Sequence, residues 1–337
     1  MYLYYDTTTK GGFIMKKLFA LLLALCMVLA LCACGAESGK AADGPFAPNG
    51  PVTMIVAYKA GNGTDITARI LAKYAEKYIG QTIIIDNQDG GSGSKGWSKL
   101  ASAKPDGMTI GFINLPNFNS SIVKGLGTYT IDSFAPICNH VTETSIVVVR
   151  ADDDRFPDLN ALVEYGKAHD GELIASTNGA QASNHIGAQA FANSAGFTYK
   201  AVPKGNTNEE LSSLLGKEAD FCVVKVPDIG SVADSVKVLG VFGTQRLPEL
   251  PDVPTLAELG YYQDWLGSSR CVAAPAGVSA EVIAFYEAAF KQAMEDPDYI
   301  AEAASFATDF KGAAATAELV KQQQEFTEGL ANGFWYD

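Results

Sequence analysis

Short apolar runs alternate with amphipathic helical stretches along most of this 337-residue chain, and that alternation limits its fold more than any other feature. VTMIVAY reads as a strand, DITARILAKYAEKYIG as a helix, TIIID as a strand, and TIGFIN as another after the turn KPDG. In the helix, Ile66, Ile70, Tyr74 and Tyr78 recur every four residues on one stripe, and Gly80 stops it. This rhythm predicts an α/β fold with a largely parallel, right-handed sheet and helices on its faces. A second run follows SIVVVRADD: GELIAST, the helix SNHIGAQAFANSAG, then NEELSSLLG, ADFCVVK and VKVLGVFG. Thr207 with Glu210 fits a capping box. After the strand-like SSRCVAAPAG the chain ends in helices: SAEVIAFYEAAFKQAMED, one from about Pro297 and one from about Thr316. Two sheets with an interruption and a return predict two lobes joined by crossing strands near residues 143–150 and 266–274. That division places 51–142 and 272–337 in one lobe and 143–271 in the other.

The apolar run LFALLLALCMVLALCAC follows MKK and ends in small residues, the layout of an export signal and not of a membrane span. Residues 1–14 precede a better start at Met15 and look like an over-extended reading frame. LCAC, Leu31 to Cys34, resembles a bacterial lipobox, which makes Cys34 the lipidated N-terminus and residues 1–33 the part removed. An ordinary signal cut near Ala36 is the other reading. GAESGKAADGPFAPNGP is rich in Gly, Ala and Pro and reads as a flexible tether over 34–50. The expected location is the outer face of the cytoplasmic membrane, held by the lipid.

The formal net charge is −13, and residues 1–33, with Lys10, Lys16 and Lys17 against Asp6, hold it two units less negative than the rest. An acidic chain of this kind is not expected to bind nucleic acid, which calls for a basic face. It also means that an anionic ligand has to be held by local donors, not by a global field. Cys26 and Cys32 lie in the signal, and Cys138, Cys222 and Cys271 sit in apolar surroundings, so they read as buried small hydrophobes, not as a disulfide or metal set.

AYKAGNGTDITAR puts Gly61 and Gly63 between a strand's end and a helix's start. Such a turn aims unpaired backbone N–H groups and the positive end of the helix dipole at one spot, which suits an anion. Ala60, Asn62 and Gly63 frame the approach, Thr64 offers a hydroxyl, and Asp65 reads more as a helix cap than as a ligand. A mere tight turn is the alternative. The same construction recurs with Ser176, Thr177, Asn178, Gly179, Ser183, Asn184 and His185, and again with Lys204, Gly205, Asn206 and Thr207. Three such N-termini converging between the lobes form a polar cage for a small carboxylate, with charge-assisted hydrogen bonds worth about 1.5–3 kcal/mol each.

No nucleophile elbow, zinc-protease helix or phosphate-binding Walker loop is present, so the chain reads as no enzyme and needs no cofactor. GSGSKG, residues 91–96, matches a dinucleotide fingerprint only formally, because four residues separate it from Asp86. The histidines are His140, His169 and His185; a Ser183/His185 pair is conceivable for an exported hydrolase, although side chains two apart on a helix do not face each other. Asp152 to Asp154 read as a solvated loop, and Trp97, Trp265 and Trp335 as packing residues.

From about Pro51 to Val320 the residues resemble the receptors of the tripartite tricarboxylate transporters, the Bug or TctC family. AGNGTDITAR matches its opening glycine loop through Gly61, Gly63, Thr64, Asp65, Ala68 and Arg69; GQTIIIDNQDGGSG matches through Gly80, Gln81, Asn87 and Gly90. KPDGMTI, FAPI, LPDVPTLAELGY and APAG match further signatures, Pro254-Thr255 the most specific. The resemblance implies a two-lobed periplasmic-binding-protein fold, a type II Venus flytrap with crossing interdomain strands. It also implies a monomer that captures a small organic carboxylate and presents it to transporter subunits in the membrane. The carboxylate-holding roles of the family's loops carry over to Gly61, Gly63 and Thr64, and to Ser176, Ser183 and His185, with Lys204 and Gly205 matching its Lys-Gly pair. Ala60 and Asn62 depart from the family's proline and glycine, and the loop FINLPNFNSS, with Asn114, is rich in Asn where the family has small residues. A receptor for an ATP-driven importer and a sensor module are the alternatives among binding proteins.

Overall fold

In the computed structural model, which describes residues 46–180 and 182–334, the first expected strand forms as β1 (Val52–Val56). β2 (Ile83–Asn87) and β3 (Thr109–Leu115) lie parallel to it on either side. β9 (Gly267–Pro275) then runs antiparallel to β3, and β4 (Phe134–Arg150) antiparallel to β9. The second half of β4 pairs with β7 (Phe221–Lys225) and β8 (Val236–Val241), both antiparallel. β5 (Ile174–Thr177) lies parallel between β7 and β6 (Lys200–Pro203). A short β10 (Thr308–Lys311) pairs with β4. The two parts, β2-β1-β3-β9-β4 and β6-β5-β7-β4-β8, therefore repeat one plan, a parallel trio with its earliest strand in the middle. This is a two-lobed α/β fold in which β4 belongs to both sheets.

Helices cover both faces of each sheet. Val52, Met54 and Val56 point to one side of β1, as the two-residue pleat requires, and pack with α1 (Gly63–Ile79), α7 (Ala280–Met294) and α8 (Pro297–Glu302). Ile55 and Ala57 point to the other side, with Trp97 of α2 (Ser94–Ala101), Phe118 of α3 (Asn117–Val123) and Val320 of α9 (Ala313–Phe334). On the second sheet, α4 (Leu159–Ala168) and α5 (Ser183–Ala195) bury Leu162 and Phe191 on one face, and α6 (Thr207–Leu215) buries Leu211 and Leu214 on the other.

Several expectations shift. The fully buried face of α1 is Ala68, Leu71, Ala72, Ala75 and Ile79; of the four-residue stripe, Ile70, Tyr74 and Tyr78 pack partly buried against the same core, the tyrosine hydroxyls donating to Glu302 and Asp296 at the rim, and Ile66 is 42% exposed. Small residues let the helix approach the sheet, and tyrosines fit where one end stays wet. FINLPNFNSS is not a loop throughout; after Leu115 and Pro116 it forms α3. β4 starts at Phe134, well before SIVVVR, because its polar first half is satisfied internally: the Asn139 amide donates to Thr142 and the Asp309 carbonyl, and His140 Nε2 lies 2.7 Å from the Tyr299 hydroxyl. Phe46 at the end of the expected tether packs edge-on against Phe285, 5.3 Å between centroids, and Gln81 donates to the Pro48 carbonyl. Cys138, Cys222 and Cys271 are buried and free. The export signal, Cys34, residues 34–45, Gln181 and Trp335 lie outside the described residues.

Candidate functional site

The first glycine loop joins the carboxyl end of β1 to α1. Asn62, not Asp65, caps the helix, its amide oxygen accepting the Asp65 N–H at 2.9 Å. The Asp65 carboxylate is buried and reaches back to the Gly61 N–H at 2.8 Å, to Arg69 and to the Asn87 amide. Burial opposes its ionisation, yet the bonds from Arg69, Gly61 and Asn87 together hold it below the usual carboxylate range. Asp65 and the Gly61 amide are thus committed to the loop itself. The Gly63 and Thr64 N–H groups have no acceptor among the described residues, and Gly63 is exposed. The Thr64 hydroxyl accepts from Asn114 of β3 at 2.8 Å, and Asn114 Oδ1 is buried without a partner among the described residues. Ala60 is exposed beside them. Gly96 of α2 supports this loop from below: a Cβ there would sit 2.6 Å from the Ala57 Cα, so only glycine allows the approach.

The second loop repeats the arrangement at the carboxyl end of β5. Asn178 Oδ1 accepts the Asn184 N–H at 3.3 Å, the Thr177 hydroxyl reaches the Gly179 carbonyl, and the Ser183 and His185 N–H groups have no acceptor among the described residues. Ser176 is fully buried, and its hydroxyl makes no hydrogen bond among the described residues. Burial, and then Lys124 at the end of α3, lowers the basicity of His185. Burial itself pushes the Lys124 ammonium down to about 8.

The third N-terminus is already filled. Asn206 caps α6 through the Glu209 N–H, and the Glu209 carboxylate accepts from the Gly205 N–H at 2.9 Å and from the Asn206 amide. The cap therefore sits one residue before the expected Thr207, and Glu210 turns inward to Asn184 instead of closing a capping box. The Lys204 backbone lies beside Gly179, but its ammonium turns to Glu218 at 2.9 Å, along a shallow recess of about 280 Å³ that Glu209, Ser212 and Ser213 also line.

A polar belt that the sequence reading missed links the two remaining loops through the shared strand. Arg270 of β9 lies opposite Asn114, and its Nη2 is 3.4 Å from where a Gly63 Cβ would be. It pairs with both oxygens of Glu143 at 2.9 Å. Two residues along β4, Ser145 faces Lys225 at the end of β7. Lys225 Nζ reaches Asn184 Oδ1 at 2.6 Å and Ser183 Oγ at 3.4 Å, and Asn184 donates to Glu210 at 2.6 Å. Burial pushes Glu210 well up and lowers the Lys225 ammonium, against the pull of Asp228, Glu210 and Glu143. Tyr58, pushed up to about 12 by burial, accepts from Asn117 nearby. Arg270 and Lys225 lie inside the apolar runs SSRCVAA and DFCVVK, and a lone cation in such a run was the available signal.

Among the described residues no serine hydrogen-bonds to His185, and Ser183 is engaged with Asn184 and Lys225, so the hydrolase pair does not form. Asp152 and Asp154 are exposed as a solvated loop requires, Asp152 meeting Arg150 and Lys217, but Asp153 is buried between Arg150 and Arg155. Trp97 and Trp265 donate to the Phe112 carbonyl and the Thr144 hydroxyl as packing residues.

A sequence model for the tripartite tricarboxylate transporter family receptor matches residues 67–326. The chain is 28% identical over 298 residues to the UPF0065 protein in the gbd 5' region of Cupriavidus necator, covering 84% of this chain and 88% of that one. Its structure is similar to the periplasmic binding protein BugD, with a TM-score of 0.70, 26% identity, and 85% and 98% of the two chains covered. It is also similar in fold to MatC of Rhodopseudomonas palustris with bound malate, with a TM-score of 0.73, 22% identity, and 84% and 99% covered.

Proposed function

This chain belongs to the tripartite tricarboxylate transporter family of receptors, solute-binding proteins and not enzymes, and we propose that it captures a small organic carboxylate between its lobes. The observation that carries this is the doubled loop. In both sheets the strand in the middle of the parallel trio leads into a helix whose first N–H groups, at Gly63 and Thr64 and at Ser183 and His185, have no acceptor among the described residues. Carboxyl ends of parallel strands are where open α/β sheets take ligands, and a helix N-terminus favours an anion. The malate held by MatC supports the reading.

The proposal extends to the rest of the cycle. The chain works as a monomer, residues 51–142 and 272–337 act as one lobe and 143–271 as the other, and closure on the ligand makes a surface for the transporter subunits. Receptors of this family are exported, and the lipobox-like LCAC supports a lipid on Cys34 that holds the protein at the outer face of the cytoplasmic membrane. A thermal-shift screen of dicarboxylates, tricarboxylates, aromatic acids and amino acids tests the binding claim. At a hundred times Kd a ligand adds about 2.7 kcal/mol of stability, so at least one class should raise the melting temperature clearly, without product formation. Absence of any shift across the screen would sink the proposal.

A further inference from the structure

Lys225 closes β7 in the second sheet and is 3% exposed, yet it forms no ion pair among the described residues. The acids around it are engaged elsewhere. Glu143 on β4 gives both oxygens to Arg270 on β9. Asp228, in the turn after β7, accepts the backbone N–H of Lys225 itself. Glu210 on α6 is reached only through the Asn184 amide. Burial raises the proton affinity of both Asp228 and Glu210, and neither carboxylate touches the ammonium directly. An ammonium buried without a direct counter-ion is costly, and an apolar side chain of similar size removes that cost. An ammonium also has three donors. Asn184 takes one at 2.6 Å and Ser183 Oγ a long one at 3.4 Å, which leaves a donor to spare. Beside it, the hydroxyl of Ser145, its partner across β4, is buried and makes no hydrogen bond among the described residues.

We propose that Lys225 supplies the counter-charge for the ligand's carboxylate and so sets the receptor's preference for an acid over its neutral analogue. The carboxylate meets the ammonium, the Ser183 hydroxyl and the first turn of α5 together, and Asn184 keeps the ammonium aimed there. This assignment rests on the carboxylate reading of the same site.

Calorimetric titration of the purified protein with malate, succinate, citrate and benzoate, each beside its carboxamide, tests it. Lys225→Met should weaken binding of the preferred acid by roughly 30-fold or more, the lower range for truncating one side of a buried charge pair. Binding of the carboxamide should stay within about threefold, because an uncharged ligand gains little from the ammonium. A lysine that merely props up the loop would cost both ligands equally, and that result overturns the assignment. As pH rises through the lowered Lys225 range, wild-type affinity for the acid should fall by a factor approaching about ten per pH unit as the empty site loses the Lys225 proton, and Lys225→Met should lack that slope. If Lys225→Met does not fold, the slope must persist in Lys124→Met and Glu210→Gln, and its loss in either overturns the assignment. Acids that bind wild type and Lys225→Met alike sink this inference alone, whereas no binding by any acid sinks the carboxylate reading with it.

Discussion

Gly63 opens α1 in ordinary helical backbone, and a Cβ there would touch nothing nearer than Arg270 Nη2 at 3.4 Å. A larger side chain at this position covers the two unaccepted amides and crowds Arg270 without clashing with the main chain. Gly63→Val should therefore unfold within about 0.5 kcal/mol of wild type and yet lose ligand binding; unchanged affinity in the same titration would count against the loop. Asp65 behaves in the opposite way. Its carboxylate ties Gly61, Arg69 and Asn87 together, so Asp65→Asn should cost about 2 kcal/mol in urea denaturation. The sign with pH follows from the direction of its shift. The folded form holds the proton less tightly than the unfolded chain, so the stabilisation is complete above the ordinary aspartate range near pH 4 and fades as pH falls through the lower folded value. Asp65→Asn should flatten the acid limb of the stability curve, and an unaltered limb would refute the account.

At the level of elements, the sequence was most legible where a single period dominates. β1, α1, α7 and β9 form close to where alternation and helical spacing place them, because their burial is carried by aliphatic and aromatic side chains. Legibility fails where polar residues are buried in pairs. Asn139 and His140 hide the first half of β4, and NFNSS hides α3, since nothing local reveals Asp309, Tyr299 or the Gln324 amide that meets Asn119. The same limit governed the site: both glycine loops were readable, whereas Arg270, Glu143, Lys225 and Glu210 acquire meaning only across strands distant in sequence. Local competition between caps also misled the reading, since Asn62 and Asn206 each outcompete a neighbour for the capping position. One element-level prediction concerns the start of β9. A Cβ on Gly267 would lie 2.2 Å from the Glu143 carbonyl oxygen and 2.5 Å from the Trp265 ring. Gly267→Ala should destabilise the chain by about 1–3 kcal/mol and lower its melting temperature; a stable variant would show that β4 and β9 can separate there at little cost.

On the scale of the whole molecule, the described body begins with Phe46 docked on α7. Cys34→Ala should move the exported protein from the membrane pellet to the soluble fraction, and continued sedimentation would refute the lipid assignment. α9 spans the body as well, with Leu319 and Val320 in a core of the first sheet and Phe326 against a core of the second. β4 does the same with its own main chain. Because one unbroken ribbon of seventeen residues is woven into both sheets, the halves cannot swing like beads on a string. A rotation of one half against the other would have to twist β4 itself, where its ladder passes from β9 at Thr144 to β7 at Ser145.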